Sequence, residues 1–198
     1  RTSTLAEPGT PEYASWGDVA PDRRGGGDIW IAGSYDPELD LVYFGTSQPK
    51  PWAAPSRGMS VEDAALYTNA TLAVRPKTGE LVWHFQHIPG ETIDMEVGFE
   101  RILADIDNQQ TLLTVGKDGI LWKLNRATGE YLDLLDTMGQ TIFSVDRETG
   151  RLTYREDIAT ANIGDTYTAC PGIYGGHNWQ SATYDDARHL LFLPVHQL

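Results

Sequence analysis

The sequence predicts an all-β chain folded as part of a β-propeller. Three observations carry that prediction: a block of sequence that recurs at a fixed distance, three copies of one hairpin signature, and a scarcity of helix signals. The recurring block is GGDIWIAGSYD, Gly26 to Asp36, against GGHNWQSATYD, Gly175 to Asp185, an offset of 149 residues. The two glycines, the tryptophan, the tyrosine and the aspartate coincide. Each copy then enters an apolar strand, Leu41-Val42-Tyr43-Phe44 and Leu190-Leu191-Phe192-Leu193, at the same offset of 149. Self-similarity at a fixed spacing is the sequence mark of a repeat architecture.

The hairpin signature lies inside that interval. LAVRPKTGELVW holds Thr78-Gly79-Glu80, WKLNRATGEYLD holds Thr128-Gly129-Glu130, and FSVDRETGRLTY holds Thr149-Gly150-Arg151. Each reads as strand, polar turn and strand, with glycine supplying the positive φ of a tight turn. Gly79 and Gly129 are 50 residues apart, and 149 is close to three such periods. Propeller blades run to about 40–50 residues, so the chain is expected to hold about four. Asp63 to Tyr67 could start a helix, but glycine, proline and β-branched residues crowd its flanks. Gln48 to Ser60 carries Pro49, Pro51 and Pro55 and reads as a long functional loop. An open half propeller would expose two sheet faces, and the chain begins with Arg1 rather than Met. Residues 1–198 are therefore expected to be an incomplete propeller region lacking both ends of its parent domain, or one that closes on another copy.

Composition removes several function classes. Net charge is −13, from 15 basic and 28 acidic side chains, with no Lys/Arg cluster of the kind a phosphate backbone needs. Nucleic acid is thus excluded as a partner, and the acidity serves solubility or attracts a basic protein. No apolar run reaches membrane-spanning length; Leu112 to Leu124 is broken by charges and glycines. Cys170 is the sole cysteine, which excludes a zinc cluster and leaves a buried thiol or half of a disulfide. Gly25-Gly26-Gly27 lacks the Gly-Lys-Ser/Thr ending of a phosphate loop. His84 and His87 are three apart, on opposite faces if the strand continues, and read as structural.

Three segments together resemble the quinoprotein alcohol dehydrogenases, the methanol and ethanol dehydrogenases that use pyrroloquinoline quinone (PQQ). They are YDPELDLVYFGTSQPKPW (Tyr35 to Trp52), VWHFQHIPGETID (Val82 to Asp94) and CPGIYGGHNWQ (Cys170 to Gln180), in the family's order and spacing. The resemblance implies the middle blades of an eight-bladed propeller in a periplasmic enzyme. That enzyme oxidises a small alcohol, passes hydride to PQQ beside calcium or a lanthanide ion, and delivers electrons to a cytochrome c-type acceptor. It makes Asp94 the general base. Trp30 becomes the stacking partner of the flat quinone, and Lys117 the cation beside the quinone oxygens. Asn178 and Trp179 become contacts at the PQQ edge. Gln48 stands where the family has a metal-ligating asparagine, one methylene shorter; its amide oxygen is still a hard donor. Glu96 falls where the lanthanide-using branch carries an extra acidic ligand, two residues past Asp94. In an extended segment the two carboxylates share a side. The resemblance also pairs Cys170 with a cysteine just beyond Leu198.

From a different class comes a second expectation, a non-catalytic PQQ-like propeller acting as a protein-binding scaffold. Gln48 in place of asparagine favours it; the set Trp30, Asp94, Lys117 and Asn178 speaks against it.

Overall fold

The computed structural model describes residues 2–196. The first half contains β1 (Gly25–Gly26), β2 (Ser34–Asp36), β3 (Leu41–Gly45), β4 (Pro49–Lys50), β5 (Ala70–Val74) and β6 (Leu81–Gln86). Strands β2-β3-β5-β6 form one antiparallel four-stranded blade, and β1 and β4 pair beside it. The second half contains β7 (Ile102–Ile106), β8 (Gln109–Val115), β9 (Ile120–Asn125), β10 (Tyr131–Asp136), β11 (Phe143–Val145), β12 (Leu152–Tyr154), β13 (Thr183–Asp185) and β14 (Leu190–Phe192). Strands β7 to β10 make the second complete blade, and β11-β12 and β13-β14 are two-stranded sheets. The all-β partial propeller predicted from sequence is the fold, with two blades complete.

The 149-residue repeat is a structural repeat. In β2-β3, Ser34, Tyr35 and Asp36 face Tyr43, Val42 and Leu41. In β13-β14, Thr183, Tyr184 and Asp185 face Phe192, Leu191 and Leu190, the same register. Even the strained turn residue is repeated, Asp40 at φ 51° and His189 at φ 52°. All three Thr-Gly hairpins also close alike. The N–H of Gly79, Gly129 and Gly150 donates to the carbonyl four residues earlier, each at 2.8 Å. The third departs from the 50-residue period, because it closes β11-β12 as a separate ribbon rather than the outer edge of a blade.

Blades join through apolar faces. Leu41, Tyr43, Ala73 and Trp83 of the first meet Leu112 and Leu124 of the second, each large side chain contributing about 1.5–3 kcal/mol on burial. Across the same joint, Arg126 Nε donates to Asp36 Oδ2 at 2.6 Å and the Tyr43 hydroxyl donates to the Arg126 carbonyl at 2.8 Å. The outer strands carry a further joint. A Cβ on Gly129 would fall 2.5 Å from the Trp83 ring, and one on Gly150 would fall 2.5 Å from the Tyr131 ring. An aromatic ring of each outer strand therefore lies flush on the next turn glycine.

Asp63 to Tyr67 is not helical. Asp63 accepts the Ser60 N–H at 2.8 Å and Ala65 adopts φ 54°, which turns the chain instead of winding it. Among the described residues, helical structure is confined to short turns, 3₁₀ at Pro11–Trp16, Pro21–Arg23 and Ala54–Arg57 and α at Glu156–Ala159. Such turns are too short to show a helical period. No described helix is long and apolar enough to cross a membrane.

Candidate active site

Three loops converge at one end of the blades. The first follows β3 and carries Gln48. Its entry is fixed by Gly26, at φ 99°, where a Cβ would fall 2.2 Å from the Gln48 carbonyl. The second follows β6 and carries Asp94 and Glu96. The third is the tight turn between β8 and β9, closed by Gly119 N–H to Gly116 carbonyl at 3.0 Å, with Lys117 at its tip. Lys117 is thus a hairpin residue whose side chain reaches the Asp94 loop. Its N–H donates to the Glu96 carbonyl at 2.8 Å, and its carbonyl accepts the Gly176 N–H at 2.9 Å. That second bond brings in the loop bearing Asn178 and Trp179.

Side chains meet where the loops meet. Lys117 Nζ lies 2.9 Å from Asp94 Oδ2 and 3.1 Å from Glu96 Oε2. The Gln48 amide donates to Asp94 Oδ1 at 2.7 Å. The sequence places Asp94 and Glu96 on one side by strand alternation. In the structure they do converge, but not on an extended segment: Asp94 sits at φ 66°, in the left-handed region. A loop conformation, not a strand period, aims both carboxylates at one ammonium.

Burial sets the electrostatics. Desolvation raises Glu96 above the usual carboxylate range, against the pull of Lys117. Burial works to lower Lys117, but Asp94 and Glu96 outweigh it and hold it above its ordinary value. Glu91, in the same loop as Asp94, is pushed by burial up to about 7, against the Met95 and Ile93 N–H groups and Arg57.

Trp30 packs with its ring centroid 4.4 Å from Trp179, at 72°. The two repeat-equivalent tryptophans are therefore in contact. Trp30 is half-buried and lines a cleft of about 320 Å³ with Asp28, Ser47, Gln48, Lys50 and Glu96. Trp179 is 56 % exposed. Three buried polar atoms among these residues have no protein partner: Trp30 Nε1, Gln48 Oε1 and Asn178 Oδ1. The seven candidates Trp30, Gln48, Asp94, Glu96, Lys117, Asn178 and Trp179 thus lie in or beside this one loop cluster. Asp28, Lys50 and Glu91 were not singled out. Asp28 and Lys50 form an exposed ion pair at the rim. Glu91 lay in plain view three residues before Asp94, and an acid within a glycine-threonine loop was the available signal.

The donor chemistry fits a metal and a planar polar cofactor. Gln48 Oε1, Asp94 and Glu96 are hard oxygen donors of the kind calcium and lanthanide ions take, and Gln48 Oε1 is a buried acceptor without a partner. Among the described residues no three His, Cys, Asp or Glu side chains form a metal cluster by themselves. Any metal here would need ligands besides these two carboxylates and the amide.

One end of an incomplete propeller thus gathers a tryptophan-walled cleft and a lysine between two carboxylates. The chain belongs to the family described as PQQ: Glucose/ethanol/alcohol dehydrogenase, beta-propeller domain, which matches residues 5–138. It is 33 % identical over 187 residues to the quinohemoprotein alcohol dehydrogenase ADH-IIG of Pseudomonas putida, covering 91 % of this chain and 26 % of that protein. To an alcohol dehydrogenase (quinone) dehydrogenase subunit of Acetobacter aceti it is 30 % identical, covering 94 % and 26 %. Among solved structures, the P. putida ADHIIG enzyme matches with TM-score 0.81 at 32 % identity, covering 88 % and 26 % of the two chains. A europium-containing methanol dehydrogenase matches with TM-score 0.79 at 29 % identity, covering 86 % and 30 %. The chain spans about a quarter of the length of these relatives.

Proposed function

We propose that the protein containing this chain oxidises an alcohol to an aldehyde or ketone, with Asp94 as general base. The observation that carries this is Asp94 itself, held on both carboxylate oxygens, by Gln48 at 2.7 Å and Lys117 at 2.9 Å. Two donors, one on each oxygen, hold the carboxylate aimed, and a base must be in position before the alcohol arrives. PQQ, when bound, would supply the hydride acceptor, and a metal ion held beside it would supply a Lewis acid. Trp30 offers the flat apolar wall against which such a ring stacks. Lys117 would supply positive charge beside the bound ring. Asn178, with an unpartnered buried Oδ1, and Trp179 frame the edge.

Gln48 Oε1, Asp94 and Glu96 would supply part of the metal's shell. Two carboxylates favour a trivalent over a divalent ion, because the Coulomb attraction scales with ion charge. The europium-containing relative supports that reading. Glu96→Ala is expected to weaken lanthanum binding more than calcium binding in the full-length apo-protein; equal loss for both ions removes the lanthanide reading. The scaffold alternative drew on Gln48, yet Gln48 reaches Asp94 despite its extra methylene. Relatives named quinohemoproteins support a cytochrome c-type acceptor for the electrons, and the family resemblance supports a periplasmic location.

The test is a dye-linked alcohol assay on the full-length protein loaded with PQQ and metal. Asp94→Asn is expected to lose about 10²–10⁴ in turnover while still binding PQQ. Near-normal turnover would remove Asp94 as the base.

A further inference from the structure

We infer that Glu91 is the positioning residue for Asp94, a carboxylate whose one oxygen grips the backbone on both sides of the base. The inference rests on the reading of Asp94 as the base and names what holds it there. Glu91 is fully buried, and its Oε1 accepts the Ile93 N–H at 2.6 Å and the Met95 N–H at 2.9 Å. Those two residues flank Asp94. Asp94 occupies φ 66°, a conformation that a residue with a Cβ keeps only when its surroundings over-determine it. The grip on both neighbours is that over-determination, because the Met95 N–H belongs to the peptide immediately after Asp94.

The grip is itself anchored. Arg57 donates from Nη2 to the Glu91 carbonyl at 2.6 Å, and from Nη1 to the Pro51 and Trp52 carbonyls at 2.8 and 2.7 Å. Thr92 Oγ1 accepts the Ala54 N–H at 2.9 Å. Behind it, Gly90 packs so closely that a Cβ would fall 2.1 Å from the Val61 carbonyl. The segment 51–61 that follows Gln48 thus clamps the segment 90–95 that carries Asp94. Glu91 is the side chain through which that clamp reaches the base. Gln48 and Asp94, partners in one hydrogen bond, are held in register by the same bracket.

Fixing a reacting group to within an ångström is worth about a hundredfold in rate, so the effect belongs in kcat. In the full-length enzyme loaded with PQQ and metal, Glu91→Leu is expected to lower kcat on the order of 10²-fold with KM changed only a few-fold. Glu91→Gln is expected to recover most of that loss, because its amide oxygen can still accept both N–H groups. Glu91→Asp, one methylene short of them, is expected to stay low. Unchanged kcat in Glu91→Leu overturns the inference, and so does a Gln variant as slow as Leu, since charge rather than acceptor geometry would then be at work. Should Glu91→Leu fail to fold, equal kcat for the Asp and Gln variants overturns it. Asp94→Asn is assayed alongside. Its full activity would sink the base itself; its inactivity together with a fully active Glu91→Leu sinks only the role of Glu91.

Discussion

The two copies of the repeated block fold into one hairpin, yet they live in different surroundings. Register, turn and the left-handed turn residue are the same in β2-β3 and β13-β14. Burial is not. Leu41 and Tyr43 are 2 % and 0 % exposed, whereas their equivalents Leu190 and Phe192 are 47 % and 58 % exposed. The first copy is flanked by β5 and by the second blade; the second has no further strand beside it among the described residues. Hairpin geometry is therefore written locally, and energetic weight is conferred by neighbours.

Mutating matched positions separates the two contributions. Tyr43→Ala is expected to cost about 3–5 kcal/mol, since it empties a core site and frees the Arg126 carbonyl. Phe192→Ala should stay within about 0.5 kcal/mol, the usual range for an exposed site. Urea denaturation of residues 1–198 measures both, and an equal loss would show that the second hairpin is as enclosed as the first.

Asp36 and Asp185 give a charged version of that contrast. Asp36 is buried against Arg126, whereas Asp185 pairs at the surface with Arg188. Breaking a buried pair from one side costs about 3–5 kcal/mol, so Asp36→Ala is expected to approach that figure. Asp185→Ala is expected to cost less than about 1 kcal/mol. The pair also has a pH signature. Burial by itself would raise Asp36, but Arg126 and two backbone N–H groups outweigh it and hold the carboxyl below its ordinary value. Its contribution is therefore present above the unfolded value of about 3.9 and is lost as pH falls through the folded one. Acid unfolding curves below about pH 4 should lose part of their steepness in Asp36→Ala; an unaltered curve would show that the pair is not what titrates.

The smallest effect concerns the paired tryptophans. Trp30→Ala is expected to weaken PQQ binding to the full-length apo-protein by about five- to tenfold, the weight of a ring contact of about 1 kcal/mol. Trp179→Ala, at the exposed edge, should weaken it less. The reverse order in a fluorescence titration would exchange their roles.

What could be read in advance follows the same division. The 149-residue repeat and the three Thr-Gly turns are encoded by neighbours in sequence, and they predicted strands, turns and fold class. The convergence of Gln48, Asp94, Glu96 and Lys117 involves loops up to 69 positions apart, which no local period encodes. Family resemblance named those residues. It did not reveal that Asp94 is left-handed or that Glu91 braces it, because both follow from how segments 51–61 and 90–95 lock together.

The aromatic rings seated on glycine between outer strands bear on how such a ring of blades can change over time. Each such contact sets a flat side chain on one strand pair against a bare backbone turn on the next. The loops that carry Gln48, Asp94 and Lys117 take no part in these ring-on-glycine contacts, so the rim can stay fastened while the loops change.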